Sequence, residues 1–325
     1  MRYRPLGRTG LEVSALGLGT SPFGGAFGIP DESECRSCLD HALDSGINYL
    51  DTSPYYGNTR SEAVLGRCLR GIPRDRYILS TKVGRYGDHV ENFDFSADRV
   101  RRSLDESLTR LGVDHVDIVF CHDIEFGSLA QVIDEAIPAL RELVQQGKVR
   151  FVGVSGLPLL VFREVLARTD VDVILSYCHY TLADTTLLSL IPELERRGVG
   201  IINASPMGMG LFTEGGPRDW HPAPPSIRDA CRRAVEHCRD RDANLARLAL
   251  RFATAQNRIN TTLVGTSSPK EIADDLRWLD EPIDEALLNE VREILRPVRD
   301  RTWTSGRPEN NEPSGPIQST EDTPA

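Results

Sequence analysis

The feature that most constrains how this chain folds is an alternation of short apolar runs with helical stretches, which recurs eight times. The apolar runs fall at residues 16–19, 47–50, 77–81, 116–121, 150–154, 171–175, 199–202 and 262–264. They are nearly continuous in apolar character, as strands buried on both faces are. Between them the apolar residues take helical spacing, as at Leu104, Leu108 and Leu111. Helices are expected at 31–45, 61–69, 96–111 and 129–146, then up to 167, up to 197, at 226–239 and 243–255, and from 269 onward. Ser61 and Ser96 stand where N-caps belong, Gly147 and Gly198 follow last helical residues, and Pro269 stands at a first helical position.

Eight parallel βα units close most naturally into an α/β fold of the (β/α)8 TIM-barrel kind. An open doubly wound sheet is the alternative. It wants G-x-G-x-x-G after its first strand, and Leu16-Gly17-Leu18-Gly19-Thr20 offers only G-x-G. The length of 325 residues suits one barrel over residues 1–298. Residues 3–14 read as a β-hairpin around Gly7-Arg8-Thr9-Gly10, placed to plug the N-terminal mouth. From Thr304 to Ala325 the chain is rich in Pro, Ser, Thr, Asn and Glu with almost no apolar residues, so 304–325 is expected to be a disordered tail.

Charge narrows the partners. Thirty-eight Lys and Arg against 48 Asp and Glu give a net charge of -10. That argues against nucleic acid, whose phosphates need a basic surface. No run approaches the roughly 18 apolar residues of a membrane span, and the N-terminus has no signal-like segment. Seven cysteines, an odd number, suit reduced thiols in the cytoplasm. Cys35 and Cys38 make a C-x-x-C spacing within a helical stretch, and without a second pair they are read as packing, with no metal site. A small-molecule partner is expected, and oligomeric state stays open.

In a barrel of this kind the active site lies at the C-terminal ends of the strands. Strand 2 ends in Asp51-Thr52-Ser53-Pro54-Tyr55-Tyr56-Gly57, strand 3 in Thr81-Lys82, and strand 4 in Cys121-His122-Asp123. A phenol is a poor base at neutral pH, since its pKa is near 10. A nearby ammonium favours the phenolate, a carboxylate keeps the ammonium in place, and an imidazole can orient a substrate oxygen. Asp51, Tyr56, Lys82 and His122 therefore make a candidate proton-transfer centre. Singly, each has a plainer role: Asp51 as a loop cap, Lys82 as a solvated lysine, His122 as a core histidine.

On these residues the chain resembles the aldo-keto reductases, whose catalytic tetrad Asp51-x-x-x-x-Tyr56, Lys82 and His122 match. The resemblance runs from about residue 1 to residue 298. It is strongest in Asp51-Thr52-Ser53-Pro54-Tyr55-Tyr56-Gly57, Thr81-Lys82-Val83-Gly84-Arg85-Tyr86, Phe93-Asp94-Phe95-Ser96, the string from Cys121 to Leu129, and Ile174-Leu175-Ser176-Tyr177-Cys178-His179-Tyr180. It implies an NAD(P)-dependent oxidation of L-galactose, or of the related L-fucose or D-arabinose, at C1 to the aldonolactone. It also implies a dinucleotide lying across the mouth against Thr20, Asp51, Ser155, Ser176, Ser205, Pro206, Met207, Gly208, Gly210, Leu211, Gly265, Thr266, Glu271 and Asp275. Two positions depart from the family. Ala204 stands where many members have a tyrosine that stacks on nicotinamide, and Gly156 replaces a common asparagine for the carboxamide.

At the last βα loop, Gly265 and Glu271 stand where NADP-preferring members have a lysine and an arginine. NAD is therefore expected, with NADP as the alternative and Lys270 as the residue that could reverse it. Tyr56, His122, Tyr86, Asp123 and Trp220 are the candidate substrate contacts. A general carbonyl reductase and a non-catalytic regulatory subunit are the competing readings, and the intact tetrad weighs against the second.

Overall fold

The structure is a computed structural model and describes residues 1–26 and 28–312. It opens with an antiparallel hairpin of β1 (Tyr3–Pro5) and β2 (Glu12–Ser14). Eight parallel strands follow: β3 (Leu16–Gly19), β4 (Tyr49–Asp51), β5 (Ile78–Val83), β6 (Val116–Cys121), β7 (Val149–Gly156), β8 (Val173–Tyr177), β9 (Gly200–Ala204) and β10 (Thr261–Gly265). Each pairs with its chain neighbours. β10 pairs with β3, Val264 opposite Leu18, which closes the barrel and rules out the open sheet. The helices α1 (Glu32–Asp44), α2 (Arg60–Cys68), α3 (Ala97–Leu111), α4 (Leu129–Gln131), α5 (Ile137–Gln145), α6 (Leu159–Arg168), α7 (Ile191–Arg197), α8 (Pro225–Arg239), α9 (Leu245–Ala255), α10 (Pro269–Trp278) and α11 (Glu285–Leu295) surround it. Among the described residues no helix is long and apolar enough to cross a membrane.

Side chains alternate across a strand, so each strand feeds two cores. Ile118 and Phe120 of β6, Val173 and Leu175 of β8, and Leu263 of β10 meet inside the barrel. Val119, Val152, Val154, Ile174 and Val264 belong to the larger core under the helices. Leu6, Leu11 and Val13 join the inner cluster, so the hairpin closes the N-terminal end. Arg4 ties it down, with Nη1 donating to Ile259 O at 2.6 Å and Nη2 to Thr254 O at 2.8 Å. Gly7, at φ +53°, packs so tightly on β9 that a Cβ there would lie 2.4 Å from Gly200 N. Only a residue without a Cβ fits.

Three local expectations are corrected. Thr59, not Ser61, is the N-cap of α2; Ser61 lies inside the helix, fully buried, and donates to Thr20 O at 2.6 Å. A buried polar contact between strand ends wins over helix capping there. The helix expected over 129–146 contains a π turn at Val132–Ala136. Pro138 next to it has no N–H to donate, and the extra residue in the turn accommodates the missing bond. Disorder from Thr304 does not hold for residues 304–312. Asn310 Nδ2 donates to Glu125 O at 2.8 Å and to Gly127 O at 3.1 Å, and Ser305 Oγ donates to Glu125 Oε1 at 2.9 Å. Polar side chains that could build no core of their own are held by buried groups of the barrel rim. The rest of that expectation, 313–325, lies outside the described residues.

Because Leu6 is fully buried beneath the barrel, Leu6→Ala should cost about 2–5 kcal/mol of unfolding free energy in urea. A loss below about 0.5 kcal/mol, the size of an ordinary surface change, would mean that the hairpin does not stopper the core.

Candidate active site

With the N-terminal end plugged, the polar residues gather at the other end. β4 ends in Asp51, β5 carries Lys82, and β6 leads directly into His122. Tyr56 rides on the loop between β4 and α2. That loop sits against the turn after β3, where a Cβ on Gly57 (φ +61°) would lie 2.0 Å from Gly24 O. Glycine at 57 is what lets the tyrosine loop close on the barrel.

Lys82 is 1% exposed. Its Nζ donates to Asp51 Oδ2 at 2.5 Å and to Thr52 O at 2.9 Å. Asp51 Oδ1 accepts from Ser80 Oγ at 2.7 Å, and Ser80 Oγ accepts from the Tyr49 hydroxyl at 2.8 Å. Burial drives an ammonium toward neutrality, but Asp51 and then the phenol of Tyr56 outweigh it, and Lys82 stays above its usual pKa. The lysine is therefore a fixed positive charge.

The ring of Tyr56 has its centroid 4.7 Å from Lys82 Nζ and 5.7 Å from the His122 ring, edge-on at 90°. Burial raises the phenol's pKa, Lys82 lowers it, and Asp51 raises it again, leaving it above the ordinary value. The sign of the lysine's effect is as expected. The balance is not, because in the protein's own field burial is the larger influence.

His122 is buried, and its pKa falls to about 3, chiefly through burial, with Asp123 opposing and Lys82 and Arg85 adding to the fall. The ring is neutral at physiological pH. Its Nδ1 lies 3.1 Å from Ser53 Oγ, which already accepts from Tyr55 N at 3.1 Å. No other acceptor for the Ser53 proton is found among the described residues, so the hydroxyl donates to Nδ1. The proton of the imidazole then sits on Nε2, ready for a substrate oxygen.

The other candidates divide. Asp123 is at the centre, its Oδ2 3.6 Å from His122 Nε2 and 2.5 Å from Arg85 Nη1. Tyr86 is turned away: its hydroxyl accepts from Gly84 N at 3.0 Å, and Arg99 of α3 lies 3.8 Å over its ring. Trp220 is 56% exposed and lies parallel to His221, with no ring contact to the tetrad among the described residues. Neither side chain is brought up to the tetrad. Residue type in a loop does not fix the direction in which the side chain points.

Of the cofactor candidates, Thr20 is fully buried and Thr20 Oγ1 donates to Asp51 O at 3.0 Å. The Leu211 side chain lies in the outer core and Leu211 N donates to Gly208 O. These two positions are used within the protein. Ser155 Oγ accepts from Asp123 N at 3.2 Å. Ser176 Oγ, paired in register with Gly156, is buried without a hydrogen-bond partner and so is left for a ligand atom. The loop after β9 holds Ser205 (φ 59°), buried Pro206, half-buried Met207, Gly208 (φ 59°) and Gly210 (φ 102°) in turns beside the mouth. At β10, Gly265 is exposed, Thr266 Oγ1 donates to Glu271 Oε2 at 2.5 Å, and Ser268 Oγ caps Glu271 N. Asp275 is buried nearby, its pKa pushed to about 7 by burial and then by Glu271 and Asp274. The unpartnered hydroxyl of Ser176 and the carboxylates of Glu271 and Asp275 fit a nicotinamide dinucleotide as hydrogen-bonding groups.

Three functional residues escape the sequence reading. Ser53 sets the imidazole tautomer and Arg85 holds Asp123. Glu125 is fully buried, with Oε1 accepting from Leu157 N (3.2 Å), Tyr177 Oη (3.2 Å) and Ser305 Oγ (2.9 Å), while Oε2 is unpartnered. A Cβ on Gly156 would meet that oxygen at 2.8 Å, so the departure at 156 makes room for Glu125. The string Cys121 to Leu129 contained the only hint of it. Cys35 and Cys38 are buried and unpaired, with both thiols raised to about 12 mainly by burial. Among the described residues no group of three His, Cys, Asp or Glu is placed to hold a metal ion.

A closed barrel with a phenol, a buried ammonium–carboxylate pair and a neutral imidazole at its open end defines an oxidoreductase that moves a proton beside a hydride. The chain belongs to the aldo/keto reductase family, whose model matches residues 15–296; its members use a nicotinamide cofactor. It is 50% identical over 319 residues to L-galactose dehydrogenase of Arabidopsis thaliana, covering 95% of this chain and 99% of that one. It is 33% identical to D-arabinose 1-dehydrogenase of Saccharomyces cerevisiae, over 75% of this chain and 76% of that one. Among solved structures, an aldo-keto reductase from Bacillus halodurans in its holo form matches with a TM-score of 0.76 at 28% identity, covering 96% of this chain and 100% of that one.

Burial raises the carboxyl of Glu125 to about 8, with Asp123 adding to it. An acid whose folded pKa is raised keeps its proton when the unfolded chain has lost it, so its contribution falls as pH rises from the usual glutamate range to about 8. Glu125→Gln should therefore show a flatter decline of urea midpoint between pH 5 and 8 than the parent. Parallel curves would contradict the assignment.

Proposed function

We propose that this chain is an NAD-dependent aldose 1-dehydrogenase that oxidises L-galactose, or the related L-fucose or D-arabinose, at C1 to the aldonolactone. The convergence of Tyr56, Lys82, Asp51 and His122 carries the chemistry. The likeness to L-galactose dehydrogenase over nearly the whole chain supports the choice of sugar.

In the oxidative direction His122 donates from Nε2 to the C1 oxygen and orients it. Tyr56 takes the proton of the C1 hydroxyl, and Lys82, held charged by Asp51, favours the phenolate that must accept it. Bound NAD supplies the hydride acceptor. Ser155, Ser176 and the Ser205 to Gly210 loop would hold its nicotinamide half, and the loop from Gly265 to Glu271 its adenosine half. Glu271 and Asp275 favour ribose hydroxyls over a 2′-phosphate, and Lys270, 88% exposed, is paired with Asp274 at 3.1 Å. NAD also suits oxidation, since cells keep it mostly oxidised. Seven unpaired cysteines support a reducing, cytoplasmic setting.

Steady-state kinetics with L-galactose, L-fucose and D-arabinose should give higher kcat/KM with NAD than with NADP, and Tyr56→Phe should lower kcat by about 10²–10⁴. A clear NADP preference would refute the cofactor assignment, and equal rates in Tyr56→Phe would remove the acid–base role.

A further inference from the structure

Beside His122 lies a charged pair that the proton chemistry does not use. Asp123 follows the histidine at φ 47°, in the left-handed region that aspartate enters more readily than most residues. That turn sets Asp123 Oδ2 3.6 Å from His122 Nε2, the nitrogen that the proposed function assigns to the C1 oxygen. The residue is 5% exposed. Arg85 Nη1 donates to the same Oδ2 at 2.5 Å. Arg85 is in turn fixed by aromatic rings, with its guanidinium 3.5 Å over Tyr55, 5.4 Å from Phe93 and 5.7 Å from Phe126. Among the described residues no hydrogen bond reaches Asp123 Oδ1. Burial pushes the carboxyl up, but its pKa lies below the usual range, and with His122 neutral the Arg85 guanidinium bonded to it is the charge that keeps it an anion.

Two oxygens on neighbouring carbons of an aldose, held gauche, are separated by roughly 3 Å, one hydrogen-bond length. A C1 oxygen seated on Nε2 therefore leaves its neighbouring hydroxyl within reach of the Asp123 carboxylate. A hydrogen bond to an ionised acceptor is about twice as strong as a neutral one. A substrate without that hydroxyl leaves Oδ1 of the buried carboxylate without a donor.

We propose that Asp123, held in place by Arg85, binds the hydroxyl on the carbon next to the one oxidised and so makes the enzyme selective for 2-hydroxy aldoses. This deepens the aldose dehydrogenase reading and rests on it.

The test is kcat/KM with NAD for L-galactose and 2-deoxy-L-galactose, on the full chain and on its Asp123→Ala and Asp123→Asn variants. Removing the 2-hydroxyl also alters the reactivity of C1, and the ratio in Asp123→Ala supplies that reference. The full chain should prefer L-galactose by at least about a hundredfold. The preference should shrink to within about fivefold in Asp123→Ala, through loss on the hydroxylated sugar, and lie between in Asp123→Asn. Preference below tenfold in the full chain overturns the proposal whatever the variants do, as does an unchanged ratio in Asp123→Ala. Turnover of neither sugar by the full chain overturns the dehydrogenase reading itself, and this proposal with it.

Discussion

A lysine buried to 1% exposure is costly unless a carboxylate answers it, because the charge has lost its water. Lys82 and Asp51 meet that condition at 2.5 Å; Thr52 O accepts a second ammonium proton, and Ser80 Oγ, itself accepting from Tyr49, donates to the other carboxylate oxygen. Breaking one side of such a pair typically costs about 3–5 kcal/mol. Replacing both partners by apolar residues would be cheaper for stability. What the pair provides is a permanent positive charge beneath a phenol that burial would otherwise keep protonated.

The barrel makes this arrangement possible by supplying each group from a different strand end. Asp51 and Lys82 come from adjacent strands paired in register, and His122 follows the next strand. Rigid strands hold the charges, while loops carry the groups that meet the substrate. The hairpin has the complementary job. By filling the N-terminal end with Leu6, Leu11 and Val13 it leaves one open mouth. The segment at 304–312 then braces the rim of that mouth through Glu125.

The barrel was legible in the sequence because two-sided burial writes an apolar run at every strand, and eight such runs have one natural closure. The tetrad was legible because its members stand at fixed places relative to those runs. What was hidden depends on direction. Ser61 looks like a cap until the buried hydroxyls around Thr20 claim it. Tyr86 looks like a pocket residue until its hydroxyl is seen bound to Gly84. The segment after Thr304 has a disordered composition, yet Asn310 finds carbonyls to bind on the rim. Glu125 was hidden for the opposite reason. A glutamate in a loop is normally solvated, and only the missing side chain at Gly156 hints at a space for it.

The central claim is that the charge of Lys82 lowers the pKa of Tyr56 against the burial that raises it. The most direct test is the pH dependence of kcat/KM for C1-deuterated and ordinary L-galactose, in the parent and in Lys82→Met, with NAD binding measured by protein fluorescence to show an intact site. The account predicts that kcat/KM rises with pH along a limb that moves to higher pH in Lys82→Met, with a rate at neutral pH lower by at least about a hundredfold. A limb that stays in place in a variant that still binds NAD would contradict it.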